Sequence, residues 1–434
     1  MATFRIVGCL SMGWALTGCL SVAFSATIPE GAPTFARDIA PIFQSKCQDC
    51  HHSGGSGPMS LMTYDEVRPW AKSIKARVAA RSMPPWFIDE HVGIQQFKDN
   101  WSLSNDQIAT IVKWVDSGAP GGDLKDMPPA RQFDSIDSWS LEKRFGKPDL
   151  IIDSAPYTMA AKGQDQWWQP FGEINIAEPR WVRAMELHPT RAGMAITHHA
   201  IAHVLPPGSQ GGRSLGESDV LFSYGMGKMY DMFEKDTGRL LQPGSHVWWD
   251  IHYRAGGEEI TDHIQLAVWF YPKGEVPKHH AVWTSYTANA EGGRGSNLDI
   301  PPGTITESNG EYALRSASCL GSFQPHMHRR GKAMTIEAIL PDGQKQVISS
   351  VDHYNFNWIM NYVFADDSVP CFPKGTQIHV TSWHDNTAAN PSNPDPRQWV
   401  GWGDRTVDEM AIAFVNVTAI SDEEYAAWAV AHKR

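Results

Sequence analysis

The chain of 434 residues is long enough for two to four domains. Hydrophobic residues make up 42% and charged residues 20%, a globular balance that argues against disorder and against a bundle of membrane spans. A net charge of −11, with no dense run of Lys and Arg, argues against a nucleic-acid partner. The first element is an export leader over residues 1–26, with Arg5 as its one early cation, a long apolar run and small residues near its end. Two cleavage patterns compete within it. Ala23-Phe24-Ser25 suits ordinary signal peptidase, and Leu16-Thr17-Gly18-Cys19 resembles a lipobox that would leave a lipidated Cys19 as a membrane tether. The apolar residues after Cys19 favour plain cleavage, and a retained anchor with one flanking charge is the weaker alternative. Either way the body is predicted to be periplasmic or otherwise exported.

Next comes "CQDCHH", residues 47–52. C-x-x-C-H is the spacing of covalent c-type haem attachment, with Cys47 and Cys50 as thioether donors and His51 as an axial ligand. A thioredoxin-like pair would need a βαβ context, and a zinc half-site a second Cys/His pair nearby; the sequence offers neither. Phe35, Ile39, Ile42 and Phe43 precede the motif at helical spacing. A second helix follows Ser104, whose cap is completed by Gln107, presents Ile108, Ile111, Val112 and Val115, and ends at Gly118 and Pro120. Residues 33–122 thus resemble a small all-α cytochrome c domain. Met83, in "RSMPPW", is the candidate sixth ligand; His52, His91 and water are the alternatives.

Residues 123–150 are polar, carry scattered prolines and read as a surface linker. From about residue 150 short alternating runs recur between turns: "WVRAMEL", "AIAHVL", "HVWWDIHY", "IQLAVWFY", "MTIEAIL" and "QIHVTSW". These predict two all-β antiparallel sandwiches, over 151–276 and 277–421, joined at "YPKGEVPK". Of the six cysteines, Cys9 and Cys19 lie in the leader and Cys47 and Cys50 in the haem motif. The remaining pair, Cys319 and Cys371, suits a disulfide in an oxidising compartment, with two buried thiols as the alternative.

Three histidine groups stand out in the β region. They are His198, His199 and His203 in "THHAIAHV", His252 in "DIHYRAGG" with His246 upstream, and His326 with His328 in "PHMHRRGK". His326 and His328, two apart on a strand, share a face. Any one group alone is more often structural; three in one exported chain point to metal.

The order of these motifs resembles the copper type II, ascorbate-dependent monooxygenases, the family of the peptidylglycine α-hydroxylating and dopamine β-monooxygenases. The resemblance covers roughly residues 155–420 and implies a jelly-roll-like fold for both sandwiches. It implies one copper on His198, His199 and His252 and a second on His326, His328 and Met410, the methionine of "GDRTVDEMAIAF". "DIPPG", residues 299–303, matches the family's second-domain start. Gln324, Ile412 and Phe414 replace the family's substrate-anchoring arginine, asparagine and tyrosine, and Asp250 replaces a glutamine, so a different substrate is expected. Two imidazoles with a thioether form the softer, Cu(I)-favouring site, and three imidazoles the site that relays electrons. The implied activity is hydroxylation of a C–H bond in a small organic molecule with O2. The two electrons per turnover would pass through the haem from an external donor, whether a cytochrome, a quinol pathway or an ascorbate-like reductant. The competing reading is a non-catalytic electron-transfer or copper-binding protein. The remaining histidines of the β region, among them His188, His263, His279, His280, His353, His379 and His384, are assigned structural roles.

Overall fold

The computed structural model describes residues 31–53, 55, 57–133, 138–209, 220–225, 229–288, 298–403 and 405–432. The leader, with Cys19, lies outside the described residues. The first described elements are helical. Phe35–Ile39 leads into Ala40–Lys46, and Phe35, Ile39 and Phe43 bury one stripe. Ala71–Ala79 and Asn105–Asp116 pack beside it. The Ser104–Gln107 capping box forms in both directions. Its helix buries Ile111 and Trp114, so the inward face is centred closer to Trp114 than the aliphatic pattern predicted.

The rest of the chain is mostly β, in several antiparallel sheets. The six alternating runs noted in the sequence fall in strands, with Tyr271 and Leu340 each one residue beyond its strand. A first unit sets the sheet containing Thr197–Leu205 and His246–Tyr253 against the one containing Arg180–Pro189 and Ile264–Phe270. Ala200, Trp249, Ile251, Leu187 and Leu266 fill the space between them. A second unit sets Gly331–Ile339 and Gln377–Asp385 against Ser322–Met327 and Ala411–Ala419, around Ile336, Val380, Phe323 and Ala413. The units are not separate sandwiches joined by a loop. Thr237–Leu241 pairs in parallel with His279–Thr287, through Thr237 with His279 and Gly238 with His280, and merges one sheet of each into an eleven-stranded sheet.

The stretch after Met83 docks on the second unit. The Asp89 and Ile94 amides donate to the Ser350 and Ile348 carbonyls (both 2.9 Å), and the Lys98 amide donates to Val363 (2.8 Å). Phe87, Ile88 and Phe97 enter that unit's core, where each fully buried apolar side chain contributes about 1.5–3 kcal/mol. The segment expected as a surface linker is also partly anchored. Trp139 and Leu141 are buried, and the Ser140 and Leu141 amides donate to the buried Glu186 carboxylate (2.9 Å each).

Cys319 and Cys371 are register partners on adjacent strands and form a disulfide across a separation of 52 residues. Closing a loop of that length stabilises the fold by about 4 kcal/mol in the chain-entropy view. The Cys319→Ser/Cys371→Ser double variant should therefore show a clearly lowered denaturant midpoint. An unchanged midpoint would show that the bridge adds nothing to the packing already present.

Candidate metal centre

Adjacent residues on a strand point to opposite faces, so His198 and His199 need a local device to act together. The device is a β-bulge. Along the pair Thr197–Leu205 and His246–Tyr253, His252 opposes His199 while Tyr253 opposes Thr197, which leaves His198 as the extra residue. A bulge re-aims side chains at such a position. The three imidazoles then lie with centroids 5.5 Å (His198–His199), 5.1 Å (His198–His252) and 5.0 Å (His199–His252) apart. One ring nitrogen from each falls within 4.8 Å of the others.

Burial keeps these rings neutral. It drives His198 down to about 3, with the neighbouring His252 and Arg254 adding to the effect, and takes His199 well below the ordinary range. His252 is lowered by burial too, against a partial pull upward from Asp165. His252 Nε2 donates to Asp165 (3.0 Å), so Nδ1 carries that ring's lone pair. The same Asp165 oxygen accepts from Thr406 Oγ1 of the second unit (2.9 Å). Trp167 stacks on His252 at 4.4 Å. The Nδ1 atoms of His198 and His199 are buried without a protein partner.

His326 and His328 come from the end of Ser322–Met327 and the turn beyond it, with ring centroids 5.5 Å apart. His326 is pushed down to about 3 by burial and by His328. The turn is held by Glu409, whose carboxylate accepts from the backbone amides of His328 (2.8 Å) and Arg330 (2.6 Å). Burial pushes Glu409 itself up to about 8. His328 Nδ1 donates to the Asp408 carbonyl (3.0 Å), so this ring would ligate through Nε2. Met327 pairs with Ala411 and His326 with Ile412; extending that register by one residue sets Met410 opposite His328. The Met410 carbonyl is fixed by His384 Nε2 at 3.0 Å.

The two sets form one cluster. The His199 and His326 rings are 6.2 Å apart. Gly225 permits part of this approach: it pairs with His199, and a Cβ there would sit 2.5 Å from Ile359 of the second unit. Phe356 lies between the sets, 4.6 Å from His198 and 5.9 Å from His328. Gln324 and Phe414 are register partners on the His326 face, and Gln324 is buried with its Oε1 unpartnered. Asp250 accepts from Gln169 Nε2 (3.0 Å). His203 is four residues from His199 and His246 six from His252, about 13 and 20 Å along their strands, so neither joins the triad. His203 packs on Trp248 and His246 on Phe171.

Burial pushes the Cys47 thiol up to about 12, the reverse of a reactive redox pair. His51 Nδ1 donates to the Met59 carbonyl (3.0 Å), which reserves Nε2 for an axial bond. Burial lowers the His51 pKa. Met83 lines a cavity of about 840 Å³. Of the alternatives, His52 stacks on Phe133 at 4.1 Å, and His91, which also lines the cavity, has a side chain 82% exposed. Sequence reasoning missed Asp165, Glu409 and Phe356. A carboxylate in a loop and a lone aromatic carry no periodic signal, although Glu409 stands beside the chosen methionine.

No family model matches the chain, and no curated protein matches it. Among solved structures the chain is similar to the major capsid protein P2 from Bacteriophage PM2, at 10% identity over 62% of this chain and 97% of that one, TM-score 0.26. It is also similar to BpGH86A, a beta-porphyranase of glycoside hydrolase family 86 from Bacteroides plebeius, at 9% identity over 58% and 37%, TM-score 0.18. Likenesses at this level carry no argument about fold or function.

Two outcomes follow from the geometry. Asp165→Ala frees the His252 ring and should weaken metal binding at the triad about 10–100-fold, read by competition with a chromophoric chelator; unchanged affinity would dismiss the orienting role. The second concerns pH. Unfolded, these imidazoles protonate below about 6.5, while His198 and His326 stay neutral in the fold down to about 3. The unfolded state takes up more protons in that window, so the metal-free protein should lose stability as pH falls from 6.5 towards 3. Denaturant midpoints across that range should show a shallower loss in His326→Gln.

Proposed function

We propose that the protein is an exported, copper-dependent monooxygenase that hydroxylates a substrate C–H bond with O2 and draws electrons through a c-type haem. The observation that carries this reading is the convergence of five histidines from two β units, with Met410 next in the chain to Ala411, the register partner of Met327. The ordered resemblance to the copper type II monooxygenases supports it. Copper bound there would supply one-electron cycling and O2 chemistry, and a haem on Cys47, Cys50 and His51 would hold one electron at a time.

The donor set fits copper. His198, His199 and His252 each bring one ring nitrogen within 4.8 Å of the others, and His252 offers Nδ1 because Asp165 takes its other nitrogen. His326, His328 and Met410 add two imidazoles and a thioether, the softer combination. Asp165 fixes the His252 tautomer, and Glu409 fixes the backbone that carries His328. Trp167 and Phe356 cover the rings and limit water. The face beside His326 carries Gln324, Ile412 and Phe414, an uncharged set that supports an uncharged organic substrate over a carboxylate-bearing peptide. The Cys319–Cys371 disulfide supports an oxidising compartment.

Two variants separate this reading from a copper-binding or electron-transfer protein without catalysis. Met410→Ala should abolish substrate-dependent O2 consumption while haem reduction proceeds normally. His252→Ala should stall product formation with the haem and the His326/His328 copper retained. Copper stoichiometry and haem-coupled O2 uptake would be measured on the parent and both variants. Equal, substrate-independent uptake in all three would overturn the monooxygenase reading.

A further inference from the structure

A second, smaller cavity of about 90 Å³ lies where the N-terminal segment and both β units meet. Trp86 and Trp101 line it from the N-terminal segment, Met229 and Met232 from the first unit, and Met360 and Asn361 from the second. One hydrogen bond joins each pair of bodies around it. The Lys98 amide donates to the Val363 carbonyl (2.8 Å), the Tyr230 hydroxyl donates to Asp99, and Asn361 Nδ2 donates to Asp231 (3.1 Å). Tyr230 and Met232, two apart on the strand Tyr230–Met232, share a face, and both line the cavity. The Leu187 amide donates to the Met229 carbonyl (2.8 Å) and pins the residue that leads into that strand. Met360 is buried and follows Ile359, which packs on Gly225, the register partner of His199. The cavity thus backs onto the interface that brings the histidine sets together.

Methionine commonly fills gaps in a close-packed core. Here three methionines and two indoles instead border open space, and even a water needs only about 10–15 Å³. The chemistry of that wall suits a soft cation. Thioethers select Cu(I) over harder ions, and indole is the best aromatic partner for a cation. Asn361 Oδ1 is buried without a partner, which leaves an acceptor open at the same wall. The charge balance agrees. Asp99 lines the cavity, Asp231 stands behind Asn361, and Lys98, which also lines it, is paired with Asp366 (2.5 Å). We infer that this cavity is a further metal site, taking one cuprous ion on Met229, Met232 and Met360, apart from the six ligands assigned above. Binding there is ligand exchange: Cu(I) leaves its carrier ligands, gains thioether bonds, and no electron or proton moves.

The test uses the full chain, stripped of metal with a chelator, and Ag(I) as a redox-silent stand-in for Cu(I). Methionine methyl groups labelled with carbon-13 are followed by NMR. Each resonance is assigned by its loss in the matching leucine variant, a swap that conserves volume. The Met229, Met232 and Met360 resonances should shift together as Ag(I) is added, in Met410→Leu as well as in the parent. Anaerobic competition with a chromophoric Cu(I) chelator should then show one Cu(I) fewer per chain in Met232→Leu/Met360→Leu, with Cu(II) binding at the histidine cluster unchanged. If the double variant does not fold, the resonances of the parent decide. Any of the three resonances staying in place, or a folded double variant that binds as much Cu(I) as the parent, overturns the assignment. Uptake of xenon without a response to Ag(I) would mark an apolar void and overturn it as well.

Discussion

Five imidazoles share one buried place, and the structure around them is organised by what that burial demands. A charged imidazolium would be costly there, so His198, His199 and His326 are held neutral, and the Nδ1 atoms of His198 and His199 have no protein partner. Unpaired buried nitrogens cost stability in a metal-free chain, and a cation that accepts several lone pairs at once removes that cost. The neighbouring groups act on orientation. Asp165 takes one nitrogen of His252, Asp408 takes one of His328, and Glu409 holds the turn between His328 and Arg330.

This arrangement requires the two β units to be one body. The parallel pairing of Thr237–Leu241 with His279–Thr287 merges their sheets at one end. At the other, Thr406 donates to the Asp165 oxygen that also accepts from His252, and Ile359 fills the space left by Gly225. A displacement of either unit would separate His199 from His326 and leave the Asp165 carboxylate with half of its partners. The N-terminal segment joins the same body. Tyr230 of the first unit donates to Asp99, and Phe87, Ile88 and Phe97 complete the second unit's core. That docking holds the cavity lined by Met83 against Phe356 and explains why residues so distant in sequence share a wall.

Much of this was legible in the chain itself. The alternating runs became strands because their apolar residues repeat with the pleat, and Ser104 with Gln107 capped a helix because both hydrogen bonds close within four residues. His326 and His328 could be placed on one face from spacing alone. Cys319 and Cys371 could be paired by elimination. Spacing worked against His198 and His199, since adjacent strand residues should diverge. Their convergence depends on a one-residue shift against His252, set by cross-strand pairing and absent from local periodicity. The reach of Asp165, the grip of Glu409, the contact of Phe356 and the closeness of His199 to His326 likewise depend on residues tens to hundreds of positions apart. The sequence by itself determined which elements form, because those follow from interactions within a few residues. Only the tertiary structure decided that the two histidine sets form one cluster beside the Met83 cavity, because that follows from register and packing between units.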